Sequence, residues 1–239
     1  MSRPTILCSV SLALLAGALP AVSAEPESTF YDPVEKQIEG WTVKVDPELL
    51  KDENKELSEQ AFKALANHLQ RVEYILPPDR VNQMKKLPIW IDLNHKLGSM
   101  QYHPDKSWLK SNGHDPRLEK HVHIPRGRAL IARGTWAKHP YVILHELAHA
   151  YHDQVLSFDH PDVLKVYNEA KEKGTYEDVL SHTGRPVRHY ALTNHKEYFA
   201  ETTEAYLGVN DFYPFVRAEL QKHDPSGFAL MQKVWGGIR

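Results

Sequence analysis

The run YVILHELAHAYHD, which begins at Tyr141, sets two histidines and a glutamate among Val142, Ile143, Leu144, Leu147 and Ala148. Its apolar content and length predict a buried helix, and Pro140 suits the first helical turn. A buried helix cannot carry uncompensated charge, because each unpaired ion costs several kcal/mol, roughly. The fold must therefore supply a partner for His145, Glu146 and His149. Residues four apart stand about 6 Å apart along a helix and about 40° around it, so both imidazoles can reach one ion. His145-Glu146-x-x-His149 is the pattern in which two histidines hold zinc and the glutamate acts as general base toward the water that zinc activates.

Two helix-borne histidines leave a catalytic zinc short of a third protein ligand. His152 and Asp153 lie on the same helix, too far along it from His145 for tetrahedral geometry. His182 and His189 lie in a loop. Glu197 opens the helical segment NHKEYFAETTEAYLG, where Asn194-x-x-Glu197 also has the spacing of a capping box. Glu201 follows one turn later, and two carboxylates at that spacing repel unless a cation lies nearby.

The rest of the chain frames this site. GWTVKVDP from Gly40 alternates as a strand does. NKELSEQAFKALANHLQRVEYIL has helical spacing and ends at Pro77-Pro78. LPIWIDL from Leu87 is a second strand, and KHVHIP from Lys120 a third. From Pro140 onward the pattern is helical: HPDVLKVYNEAKEKG closed by Gly174, NHKEYFAETTEAYLG, then YPFVRAELQKHD and SGFALMQKVW. Strands and a long helix first, helices afterwards, predict an α+β fold.

The first 24 residues read as a signal peptide: Arg3 in a short n-region, an apolar core, and AVSA before a cleavage point after Ala24. The expected organisation is a signal peptide over residues 1–24 and a single domain over 25–239, secreted or periplasmic. Residues 25–80 are read as the start of the fold, because Trp41, Val43 and Val45 need a core to face. Cys8 is the only cysteine, so residues 25–239 offer neither disulfides nor thiolate ligands. The net charge is −2, or −3 without Arg3, and the basic residues are scattered among acids. That pattern argues against a nucleic-acid partner. No later apolar run is long enough to insert the mature chain stably in a membrane.

HELAH followed by HYALTNHKEYFAE resembles the catalytic domain of the anthrax toxin lethal factor family, gluzincin metallopeptidases with HExxH and a later Glu-aromatic-Phe-Ala-Glu motif. Glu197 lies 48 positions after His149, and Tyr190 seven positions before Glu197. The resemblance spans roughly residues 80–239, but its specific part is these motifs. It implies a zincin-like fold, with a small twisted sheet over the active-site helix and a mainly helical C-terminal half. It implies His145, His149 and Glu197 as ligands of one catalytic Zn2+, and Glu146 as general base. Tyr190 would be the phenol at the oxyanion or leaving group, and Glu201 the residue that steadies a ligand histidine. The partner would be a peptide or protein, added as an extended strand along KHVHIP. A zinc amidohydrolase acting on other amides and a catalytically silent binding module are the competing readings; retention of Glu146 disfavours the silent module.

Overall fold

The computed structural model describes residues 30–237; the expected signal peptide lies outside them. Residues from Tyr31 onward form one compact α+β unit. Two strands, β1 (Val34–Ile38) and β2 (Trp41–Val45), open it as an antiparallel hairpin. Its two-residue turn, Glu39-Gly40, has positive φ at both positions. That is the turn whose twist matches the strands, and it explains a glycine here. Alternation on β2 buries Trp41, Val43 and Val45 completely, so this segment is integral to the core.

The strands β3 (Ile89–Ile91), β4 (Gln101–Tyr102) and β5 (Val122–Ile124) complete a five-stranded sheet in the order β1-β2-β3-β5-β4. β2, β3 and β5 run parallel, while β4 is antiparallel to β5. KHVHIP is the strand that its alternation suggested but not the edge that the resemblance implied: β4 covers it and forms the edge itself. β4 is two residues long, too short to leave a periodic trace in the sequence.

Helices pack on the face that presents Val43, Ile89, Val122 and Ile124. The first, α1 (Lys55–Ile75), turns Ala61, Leu65, Leu69 and Val72 inward, one apolar stripe at helical spacing. Pro77-Pro78 ends α1, and Pro78 also starts α2 (Pro78–Met84), where its missing N–H costs nothing. The short helices α3 (Lys106–Ser111) and α4 (Arg133–Lys138) precede α5 (Val142–Tyr151), which is buried at every position. α6 (Pro161–Glu172) and a two-stranded ribbon of β6 (Val179–Leu180) and β7 (Pro186–Val187) lead to α7 (His195–Leu207). α8 (Arg217–His223) and α9 (Pro225–Trp235) close the core from outside. Among the described residues no helix is long and apolar enough to cross a membrane.

One histidine of α1 has a measurable consequence. His68 is buried against the Trp136 ring at 4.4 Å, and its Nε2 has no hydrogen-bond partner among the described residues. Burial, reinforced by Arg71, pushes its pKa down from 6.5 to about 4. A depressed folded-state pKa contributes stability that is full above the unfolded value and is lost as pH falls. Between pH 6.5 and 4.5 the loss is on the order of 2 kcal/mol. Replacing His68 with Leu removes that proton uptake, so urea midpoints of H68L are expected to fall less steeply over this window than those of the wild type. Parallel pH profiles would refute the assignment.

Candidate functional site

The site lies between α5 and α7. On α7, Glu197, Glu201 and Glu204 are spaced i, i+4, i+7 and so share one face, turned toward α5. Asn194 caps that helix: its side chain accepts the N–H groups of Lys196 (2.9 Å) and Glu197 (3.0 Å). The Glu197 carboxylate does not complete the capping box and reaches the histidines of α5 instead.

Three donor atoms from two helices converge. His145 Nε2 and His149 Nε2 stand 3.1 Å apart, and Glu197 Oε2 is 3.3 Å from the first and 3.2 Å from the second. Ligands about 2.0–2.1 Å from a tetrahedral zinc ion are separated by roughly 3.3 Å, so the triangle has the dimensions of one face of such a shell. Its electronic state agrees. Glu204 Oε1 lies 2.7 Å from His145 Nδ1 and accepts its proton, so Nε2 is the ring atom that faces inward, open to a proton or a cation. Burial opposes a charge on His145, yet Glu197 and Glu204 outweigh it and raise its pKa well above the ordinary value. The pocket thus favours positive charge at the point where the lone pairs meet, and the donor set fits a divalent cation.

Glu146 is buried and turned toward the sheet edge. Its Oε2 accepts the N–H of Tyr102 at 2.9 Å, the amide of β4 that points away from β5. Burial raises its pKa, while His145 and His149 pull the other way. Tyr190 sits in a short 3-10 turn ahead of α7 and lines the same cavity, about half-exposed. Its hydroxyl makes no hydrogen bond among the described residues. Burial and then Glu197 raise its pKa. The cavity measures about 950 Å3 and is lined by Gly98–Tyr102, by Phe158, Tyr190 and Phe212, and by His145, Glu146 and His149.

The carboxylate that holds His145 differs from the one the motif suggested. Glu201 Oε1 is 3.7 Å from His145 Nδ1, beyond a hydrogen bond, and Glu204 takes the role. Glu204 Oε1 also accepts from His139 Nε2 at 2.9 Å. Burial raises the pKa of Glu201, and the charge of Glu204 raises it further. Burial would raise Glu204 too, but His139 and His145 hold it low and ionised. The signal for Glu204 was its place seven positions after Glu197 on the same helix face. His139, just before Pro140, left no such trace. The other candidate ligands are engaged elsewhere. His152 packs on Phe158 and Phe199, Asp153 binds Tyr102 Oη and Lys120 Nζ (both 2.5 Å), and His189 caps Ala191 N–H.

Glu204→Gln keeps the shape but can no longer fix His145 with its Nδ1 protonated. Loss of such a partner typically weakens metal binding about 10–100-fold. Zinc competition assays are expected to show that loss for E204Q and a smaller one for E201Q. The reverse order would assign the bond to Glu201.

No family model and no curated protein sequence matches the chain. A Pro-Pro endopeptidase from Paenibacillus alvei is a distant structural neighbour, with a TM-score of 0.42 and 21% identity over 72% of this chain and 89% of that one. A similarity this weak assigns neither fold family nor chemistry, and the reading of the site stands on its geometry.

Proposed function

We propose that the chain is an exported zinc metallopeptidase of the gluzincin kind, with a zincin-like arrangement of sheet and active-site helix and the lethal factor-like motifs HExxH and EYFAE. The observation that carries the reading is the triangle of His145, His149 and Glu197. A buried general base beside it supports catalysis over mere structure, because a structural zinc has no use for Glu146.

His145, His149 and Glu197 would hold the ion, which when bound supplies Lewis acidity toward the scissile carbonyl and the attacking water. Glu146 takes the proton of the attacking water and passes it to the leaving amine. Its burial and raised pKa make it a stronger base than a solvated carboxylate, and the Tyr102 N–H fixes its direction. Tyr190 donates its O–H to the oxyanion that develops at the carbonyl oxygen as the carbon becomes tetrahedral. An extended peptide lies along the outer side of β4 and the preceding Gly98–Met100, adding a strand to the sheet edge. Tyr102 Oη and Lys120 Nζ, both on Asp153, anchor that edge to the end of the active helix.

Mass-spectrometric profiling of a peptide library tests this. Wild type with zinc is expected to cleave, and E146Q to lose about 100- to 10,000-fold in rate while keeping its zinc. Y190F is expected to lose about 100-fold or more in kcat. Zinc-loaded wild type and E146Q that are equally active, or equally silent across broad libraries, would sink the reading.

A further inference from the structure

A second cluster of imidazoles lies on the opposite face of the sheet. On β5, Val122 and Ile124 point into the core with Ile143 and Leu144, so His123 between them points away from α5. It is fully buried there, beside Trp90 of β3, with His103 just beyond β4 and His95 in the loop after β3. One donor atom from each of Asp92, His95 and His123 lies within 4.8 Å of the other two.

We propose that Asp92, His95 and His123 form a second divalent metal site of the zinc class, separate from the HExxH centre and independent of its assignment. Surrounding bonds already orient two of the ligands. Asp92 Oδ1 accepts from Tyr31 O–H and from Trp90 Nε1–H (3.3 Å), which turns Oδ2 toward His123 Nε2 at 2.6 Å. His123 Nδ1 lies 3.0 Å from His103 Nε2. With a cation on Nε2, His123 carries its proton on Nδ1 and donates it to His103; with a proton on Nε2, it donates to Asp92. Either way the ring is satisfied, and the 2.6 Å pair must open to roughly 3.3 Å to admit an ion.

His95 is the ligand that adjusts. Its backbone N–H is fixed to Pro125 O at 2.7 Å, and its Nδ1 accepts Leu97 N–H at 3.2 Å. Binding through Nε2 moves the ring proton to Nδ1 and frees the Leu97 amide, in a loop whose neighbours Lys96 and Gly98 are exposed. One carboxylate and two imidazoles suit zinc and its neighbours rather than calcium or magnesium. The ion would tie the end of β3 to the loop that runs into Gly98–Tyr102, and so brace the cleft wall.

The test is metal stoichiometry of chelator-stripped, tag-free protein by equilibrium dialysis against Zn2+, with Co2+ spectra as a second readout of coordination. Wild type is expected to bind two equivalents, and H95A and D92N one each. H145A/H149A is expected to keep one. His95 is only partly buried and lies in a loop, so H95A should fold, as circular dichroism will show; the wild-type count requires no variant. A single wild-type equivalent that survives H95A, or two that do, overturns the second site and leaves the HExxH centre untouched. A single equivalent lost in H95A but kept in H145A/H149A would sink the HExxH reading and uphold this one.

Discussion

The structure depends on how α5 and α7 settle charge inside a dry interface. α7 turns three carboxylates toward α5, and in a low dielectric three negative charges within one helix face cannot persist unaided. The chain resolves this by unequal treatment. Glu204 stays ionised because two histidines share its Oε1. Glu201, between the others, is pushed toward its neutral form by burial and by the charge of Glu204. Glu197 points to the Nε2 atoms of His145 and His149, where a cation would complete the balance. The same arrangement that makes the interface stable in this way also fixes the tautomer of His145.

Position along the sheet edge follows from this interface. Glu146 belongs to the helix that carries the histidines, yet its hydrogen bond goes to β4. Tyr102 therefore touches α5 twice, through its amide to Glu146 and through its phenol to Asp153. Between those bonds the edge strand can neither slide nor lift without leaving a buried carboxylate unpartnered. An edge this short would otherwise be weakly registered. The outward amide of Tyr102 is taken by Glu146, so a partner strand would pair mainly with the backbone of the preceding Gly98–Met100.

Much of this was legible in the residues. Trp41–Val45 and Lys55–Ile75 declare themselves because one face of each is buried and the periodicity survives. HELAH was legible because spacing on one helix dictates which side chains share a face; that EYFAE belongs beside it was implied by the resemblance alone. The misreadings have a common physical origin. β1 is mostly exposed, with little apolar alternation to detect, and β4 is too short for any period. Placing KHVHIP at the edge followed from missing β4. Glu201 was given the supporting role as the last acid of the motif, and Glu204 was not considered, because no motif tells how α5 is rotated against α7. Contacts across elements depend on packing angle, which no single-helix pattern encodes.

The segment between Asp92 and His103 links both faces of the sheet. It leaves β3 at a carboxylate held by Tyr31 and Trp90, passes His95, forms the cleft wall at Gly98–Met100, and re-enters the sheet as β4 beside Glu146. His103 then returns to His123, the residue bonded to Asp92. The segment is thus a loop closed at its base by a hydrogen-bonded chain of Asp92, His123 and His103, with only its tip facing the cavity. Closing a short loop at its base removes most of its freedom at small cost, since closure entropy varies slowly with length. The cleft wall is held from behind by imidazoles on one face of the sheet and from the side by Tyr102 on the other. A substrate strand would dock against a wall whose position is set by both.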